Sequence, residues 1–118
     1  MGLRGRLTAL ASTTAEQQAQ ELRAQGHAAG VDRCSDLVDR SEAVVLGSIR
    51  SVTLPPRGNV PALVAEVFDG HGSVELIWLG RRKIAGIRPG VTIRARGRVS
   101  CAGSVRRIYN PFYDIVPT

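Results

Sequence analysis

The sequence predicts an all-β core, a five-stranded OB-fold Greek-key barrel, with an N-terminal α-helix ahead of it. Three observations predict it. The apolar period changes from helical spacing to two-residue alternation near residue 42, five alternating segments follow, and one basic connector separates the third from the fourth. Five short strands with a connector at that point is the layout of this barrel. With 118 residues the chain has room for one domain and one modest core, to which every strand must contribute. The expected division is an N-terminal helical extension over 1–30 and the barrel over 31–118.

TTAEQQAQELRAQG, Thr13–Gly26, reads as the helix. Thr13 and Glu16 have capping-box spacing, and Gly26 can end the helix in the left-handed conformation. Its apolar face, Ala15, Ala19 and Leu22, is thin. A helix of this length is marginal alone in water, so it must dock on something or fray. Residues 27–41 carry no clear period; Leu37 and Val38 are expected to tuck under the barrel edge.

The first strand is EAVVLGSIRSVTL, 42–54, with Gly47 in its middle. A glycine there marks a bend, which suits a strand that must serve both sides of a barrel. PPRGNVP, 55–61, is a loop, and ALVAEVFDG, 62–70, the second strand. DGHG turns the chain into the third, SVELIWLG, 73–80. RRKIAGI is a short turn or helix, and RPGV has Pro89 and Gly90 at the centre of a type II turn. VTIRARGRV, 91–99, is the fourth strand, SCAGSVR a loop, and RIYNPFYDIV, 107–116, the fifth. Neither internal repeats nor low-complexity tracts are present.

Charge is unevenly placed. Residues 1–42 hold five Arg against six acids, a net of −1, whereas residues 43–118 hold eleven basic residues against four acids, a net of +7. Of the sixteen basic residues fifteen are Arg; Lys83 is the exception. Arginine suits planar, bidentate contact with phosphate and stacks on flat rings, although the skew also fits a GC-rich genome. A basic C-terminal module points to a polyanionic partner, most often nucleic acid; generic solubility charge is the plainer reading.

The fourth strand carries the clearest pattern. Val91, Ile93, Ala95, Gly97 and Val99 alternate with Thr92, Arg94, Arg96 and Arg98. The apolar set lines the barrel, so the three Arg project outward at intervals of about 6.7 Å. Such a row can follow a phosphate backbone; a solvated face, or Arg stems covering apolar surface, is the alternative. Arg50, Arg57, Arg81, Arg82 and Arg107 are further candidates for nucleic-acid binding, as are Lys83 and Arg106, with no sign in the sequence that they share a face. Among the few aromatics, Phe68 has the parity of Glu66 and is the candidate for base stacking, with a place under the N-terminal helix as the alternative. Trp78 has the opposite parity to Glu75 and is expected in the core. Ile77 and Leu79, on the face of Glu75, need a cover, which the helix or a second copy of the chain could supply.

Nothing points to catalysis or to a cofactor. The phosphate-binding, dinucleotide, zinc-protease and serine-hydrolase motifs are all missing. His27 and His71 lack neighbouring Cys or carboxylate clusters, and Asp69 before Gly70 suits an Asx turn better than acid–base work. Cys34 and Cys101 are 67 residues apart without zinc spacing or a recognisable secretory signal, so reduced thiols in the cytoplasm are expected. No apolar run approaches the ~18 residues of a membrane span.

VFDGHGSVELIWLG, IRPGVTIRARGRV and YNPFYDI together resemble the OB-fold wedge domain of RecG-type branch-migration helicases. In that family a DGTG-type turn leads into an apolar strand, a Pro-Gly turn opens a basic strand, and an NPxY-like tail closes the barrel. WLGRRKIAGIRPG is also similar to small stand-alone actinobacterial proteins described as OB-fold nucleic-acid-binding domain proteins. The resemblance covers roughly Val31–Thr118, with His71 where the family usually has Thr. It implies binding of single-stranded or branched DNA, or of RNA, by the outer basic surface. Unwinding is not implied, because an ATP-binding motif is missing. The resulting expectation is a non-enzymatic nucleic-acid-binding protein of weak sequence specificity, connected with DNA repair or recombination. The alternative is a protein-interaction or oligomerisation module that docks on a larger replication or repair enzyme or pairs with a second copy, through the N-terminal helix or the outer face of the third strand.

Overall fold

A computed structural model of the chain describes residues 3–55 and 60–117, with side chains from residue 14 onward. Its elements are α1 (Leu3–Ala29), a 3-10 turn (Cys34–Asp36), β1 (Glu42–Thr53), β2 (Ala62–Phe68), β3 (Ser73–Leu79), β4 (Thr92–Ala102), β5 (Val105–Tyr109) and β6 (Phe112–Val116). No helix among the described residues is long and apolar enough to cross a membrane.

The helix exceeds the expected Thr13–Gly26 at both ends. Thr13 lies inside it and cannot be its cap. Gly26 also lies inside, and the stop is Gly30, at φ 68°. There the Gly30 N–H donates to the His27 carbonyl and the Val31 N–H to the Gly26 carbonyl, the paired bonds of a Schellman ending. Ala19 and Leu22 are buried as the apolar face requires, whereas Ala15 is exposed.

The strands close into a ring in which β1 pairs with β2, β2 with β3, β3 with β5, β5 with β4, and β4 with β1. All pairs are antiparallel except β3–β5. The bent first strand is what closes it: Glu42–Ser48 pair with β4 and Ser48–Thr53 with β2. At the changeover sits Gly47. A Cβ there would lie 2.8 Å from the Phe68 carbonyl carbon and from Val67 Cγ1, so the two strands can approach only around glycine. The register slips next to it, between Ile49 and Ser51, leaving Arg50 as the bulged residue. The RPG turn is tied to the same place. The Val91 N–H reaches the Arg88 carbonyl across the turn, Gly90 donates to Ile49, and Ile49 donates to Val91, which fixes β4 against β1.

The fourth and fifth strands differ from expectation. SCAGSVR is the tight end of a hairpin, with β4 running to Ala102 and β5 starting at Val105. The single strand expected over 107–116 is broken into β5 and β6 by Asn110 and Pro111. Asn110, at φ 49°, leaves the line of the strand; its N–H donates to Ile77 and its Oδ1 accepts from the Leu79 N–H, which binds the break to β3. Both halves follow β4, but Val99 faces Ile108 before the break and Arg96 faces Phe112 after it, a shift of one residue. A one-residue shift exchanges the two faces of a strand.

The barrel interior holds Val45, Ile49, Leu76, Ile93, Val99 and Ile108, all fully buried. Trp78 is 6% exposed and belongs to this core, its ring edge-on to Tyr113 at 5.6 Å. Leu37 packs on the core, but Val38, expected beside it, is 65% exposed. Residues 32–41 run along the edges of β1 and β4: Asp32 exchanges bonds with Val44, Arg40 and Ser41 with Val99, and Asp39 accepts from the Cys101 N–H.

DGHG is a docking point as well as a turn. Asp69 is buried and accepts from the His71 and Gly72 N–H groups through Oδ1 and from the Cys34 N–H through Oδ2. Helix α1, which packs on β1, also rests on Gly70: a Cβ at Gly70 would meet Arg23 Cγ at 2.6 Å, and the Arg23 guanidinium donates to the Gly70 carbonyl. Burial, then the Asp69 charge, pushes the Cys34 thiol pKa well above its usual range, so this cysteine stays protonated and unreactive.

Candidate functional site

Alternation along β4 sends its residues where the sequence indicates. Ile93, Ala95 and Val99 are buried, and Arg94, Arg96 and Arg98 are exposed on the outer face. Opposite them on β1 stand Leu46, Val44 and Glu42 respectively; on β6, Asp114 faces Arg94 and Phe112 faces Arg96. The three strands form an open groove of about 460 Å³ lined by Val44, Arg94, Arg96, Phe112 and Asp114.

The three arginines differ in how free their charge is. Arg98 is 3.8 Å from Glu42 and donates to the Arg40 carbonyl. Among the described residues, neither Arg94 nor Arg96 has a carboxylate within ion-pair distance. The Arg96 guanidinium lies over the Phe112 ring, 5.0 Å from its centroid. Phe112 is 71% exposed, which makes it the most exposed large hydrophobic residue described. Two guanidinium groups without a carboxylate partner among the described residues and a largely exposed aromatic ring thus share one groove.

The other sequence candidates are not gathered here. Arg50, at the bulge of β1, stacks its guanidinium 3.6 Å over Phe68, so the ring nominated for base stacking is half-buried and already covered on one face. Arg107 is on β5 beside β3, where its Nε donates to Glu75 at 3.0 Å. That bond raises the guanidinium pKa further. Arg106 donates to the Ser35 carbonyl. Arg81, Arg82 and Lys83 are exposed in the connector, and Arg82, Lys83 and Arg88 border a separate cleft of about 430 Å³ with Val52, Leu54 and Leu63. Arg57 lies outside the described residues. Of the apolar pair on β3, Ile77 is buried within the single chain and Leu79 is 47% exposed.

Phe112 is the residue that sequence reasoning missed. Read as one strand, 107–116 puts Phe112 on the inward face of Ile108. The signals against that were the Asn-Pro pair, which interrupts strands, and Asp114 two residues on, which marks an outward face. Among the described residues, no cluster of His, Cys, Asp and Glu has the makings of a metal site.

No protein-family model matches the sequence, and no curated protein matches it. Solved structures do. The chain is similar to RecG bound to a three-way DNA junction (TM-score 0.55, 21% identity, covering 74% of this chain and 12% of that one). It is similar to the HINb domain of p204 (TM-score 0.57, 11% identity, 77% and 49%). It is also similar to a chain of the replication protein A heterotrimer bound to single-stranded DNA (TM-score 0.52, 15% identity, 76% and 75%). At these identities the likeness shows the fold: a closed OB-fold barrel with an N-terminal helix. The chain spans only an eighth of the RecG chain and half of the HINb one.

Proposed function

We propose that this chain is a non-enzymatic nucleic-acid-binding protein whose interface is the outer face of β4. Its ligand is single-stranded or branched DNA, or RNA, read with weak sequence specificity, and its setting is DNA repair or recombination in the cytoplasm. The observation that carries the reading is the pair Arg94 and Arg96, exposed, two residues apart on one strand and, among the described residues, with no carboxylate within ion-pair distance. Guanidinium groups about 6.7 Å apart on a strand match the spacing of successive phosphates in an extended single strand. Uncompensated like charges in register repel one another, a cost that a bound polyanion removes. Arg98 continues the row, weakened by Glu42; Arg50 and the connector residues Arg81 and Arg82 contribute to the wider field. Two of the similar structures hold DNA, a three-way junction and a single strand, which supports the class of ligand.

Fluorescence anisotropy with single-stranded, duplex and forked oligonucleotides across a salt series tests this. About 3–5 phosphate contacts on a single strand predict a log–log salt slope of about −2 to −3.5. No binding below ~100 μM at low salt overturns the reading, because non-specific binding alone reaches that range at physiological salt.

The second reading, an interaction or oligomerisation module, is favoured by the exposed apolar side chains Leu54, Val60 and Leu79 around the ends of β1, β2 and β3. Sedimentation of the full chain separates the two, since self-association with no nucleic-acid affinity would establish the rival.

A further inference from the structure

The arginine row cannot by itself tell a single strand from a duplex, because both present phosphates. Phe112 can. It sits on β6 directly across from Arg96, and neighbouring strands run about 4.8 Å apart. A nucleotide whose phosphate is held on β4 therefore has its base over β6. One side of the Phe112 ring carries the Arg96 guanidinium, and the residue is 71% exposed. Asp114, two residues further on the same face and opposite Arg94, puts a carboxylate beside that ring. It repels phosphate from β6 and offers an acceptor to base N–H groups.

We infer that Phe112 is a stacking platform for an unpaired base, with Arg96 holding the ring and the adjoining phosphate, and that this subsite makes the groove select single-stranded over duplex nucleic acid. The inference rests on the proposed β4 interface and adds its ligand selectivity. A base inside a duplex has both faces covered by its neighbours, so it reaches Phe112 only by leaving the stack, whereas a single strand offers bases freely. Acids on both flanking strands, Glu42 on β1 and Asp114 on β6, keep the backbone on β4, and the exposed Phe112 ring draws the bases to the β6 side. The break at Asn110–Pro111 makes the site, since it turns Phe112 outward and Tyr113 inward, where Tyr113 meets Trp78 and its hydroxyl donates to the Ala85 carbonyl.

The test uses the full chain, wild type and Phe112→Ala, with mixed-sequence single strands of DNA and of RNA and the matching duplexes. Phe112→Ala should weaken single-strand binding about 5- to 150-fold, with a salt slope like that of wild type, so that the ratio of single-strand to duplex affinity collapses toward one. Phe112→Trp should restore the ratio, and its added indole emission, measured against the buried Trp78 of wild type, should be quenched by single strands and not by duplexes. An unchanged thermal melt shows that the fold is intact in both variants. Equal single-strand affinity for wild type and Phe112→Ala, or a loss shared equally by single strand and duplex, overturns the inference. If wild type binds with the expected salt slope and Phe112→Ala changes nothing, only the stacking subsite falls. If wild type binds no nucleic acid, the β4 interface falls and the subsite with it.

Discussion

The outer surface of the barrel treats charge in two opposite ways. On the β2–β3–β5 side and where α1 rests on it, charges other than Glu66 have partners among the described residues. Arg107 is bonded to Glu75, Asp69 accepts three backbone N–H groups, and Arg23 is divided between Glu16 and the Gly70 carbonyl. On the β4–β6 side Arg94 and Arg96 lack carboxylate partners among the described residues, and Phe112 is left open to solvent. The face that OB-folds generally offer to oligonucleotides is that of strands 2 and 3 with the adjoining loops; here it carries the cross-strand acids Glu66 and Glu75. Charges that hold a fold together are satisfied within the chain, whereas charges kept for a partner are left unsatisfied until it arrives. By that distinction the first side is structural and the second is the side proposed as the interface.

The two sides should therefore respond differently to substitution. The largest effect is expected from Arg94→Glu/Arg96→Glu. It should lower single-strand affinity by about 3 kcal/mol, roughly 100-fold, from two lost charge-assisted bonds and the added repulsion. The urea midpoint should change little, because both side chains are exposed and neither holds an ion pair among the described residues. Asp69→Ala should do the reverse. Three backbone donors lose their acceptor, one of them the Cys34 N–H beside the buried thiol, so stability in urea should fall by about 2–3 kcal/mol with nucleic-acid affinity unaltered in the folded protein. The smallest effect belongs to Arg107→Gln. Its ion pair is about one-third exposed and screened by solvent, so no more than about 0.5–1 kcal/mol of stability is at stake. Anisotropy should register little loss, since Arg107 lies on β5 beside β3 and does not line the β4–β6 groove. A large loss of affinity in Arg107→Gln would move the interface to the β2–β3 side and overturn the distinction.

Much of the barrel was legible because the pattern that specifies it is local. Two-residue alternation marked β1 to β4, Gly47 marked the bend of β1, and Arg88–Val91 marked the turn before β4. The parity of Val74, Leu76 and Trp78 against Glu75 placed Trp78 inside. The outward row Arg94, Arg96, Arg98 needed only the alternation of its own strand. Errors came where a particular hydrogen bond, local or distant, decides. Gly26 looked like a helix stop because glycine is rare inside helices, yet the hydrogen-bonded ending formed at Gly30. Val38 looked like a core residue, but the edge bonds of Asp39, Arg40 and Ser41 to β4 set the path of that segment and leave Val38 in solvent.

The sequence by itself determined a basic five-stranded barrel, its order of strands, and three arginines on the outside of the fourth, since hydrophobic period and turn chemistry act over a few residues. Only the tertiary structure decided which of those arginines keep a free charge and which aromatic joins them. Cross-strand neighbours set both: Glu42 opposes Arg98, no acid among the described residues lies within ion-pair distance of Arg96, and Glu75 claims Arg107 from another strand. Phe112 is the plainest case. Two bonds from Asn110 to β3 shift the register of β6 by one residue, and that shift alone turns the ring from the core to the groove.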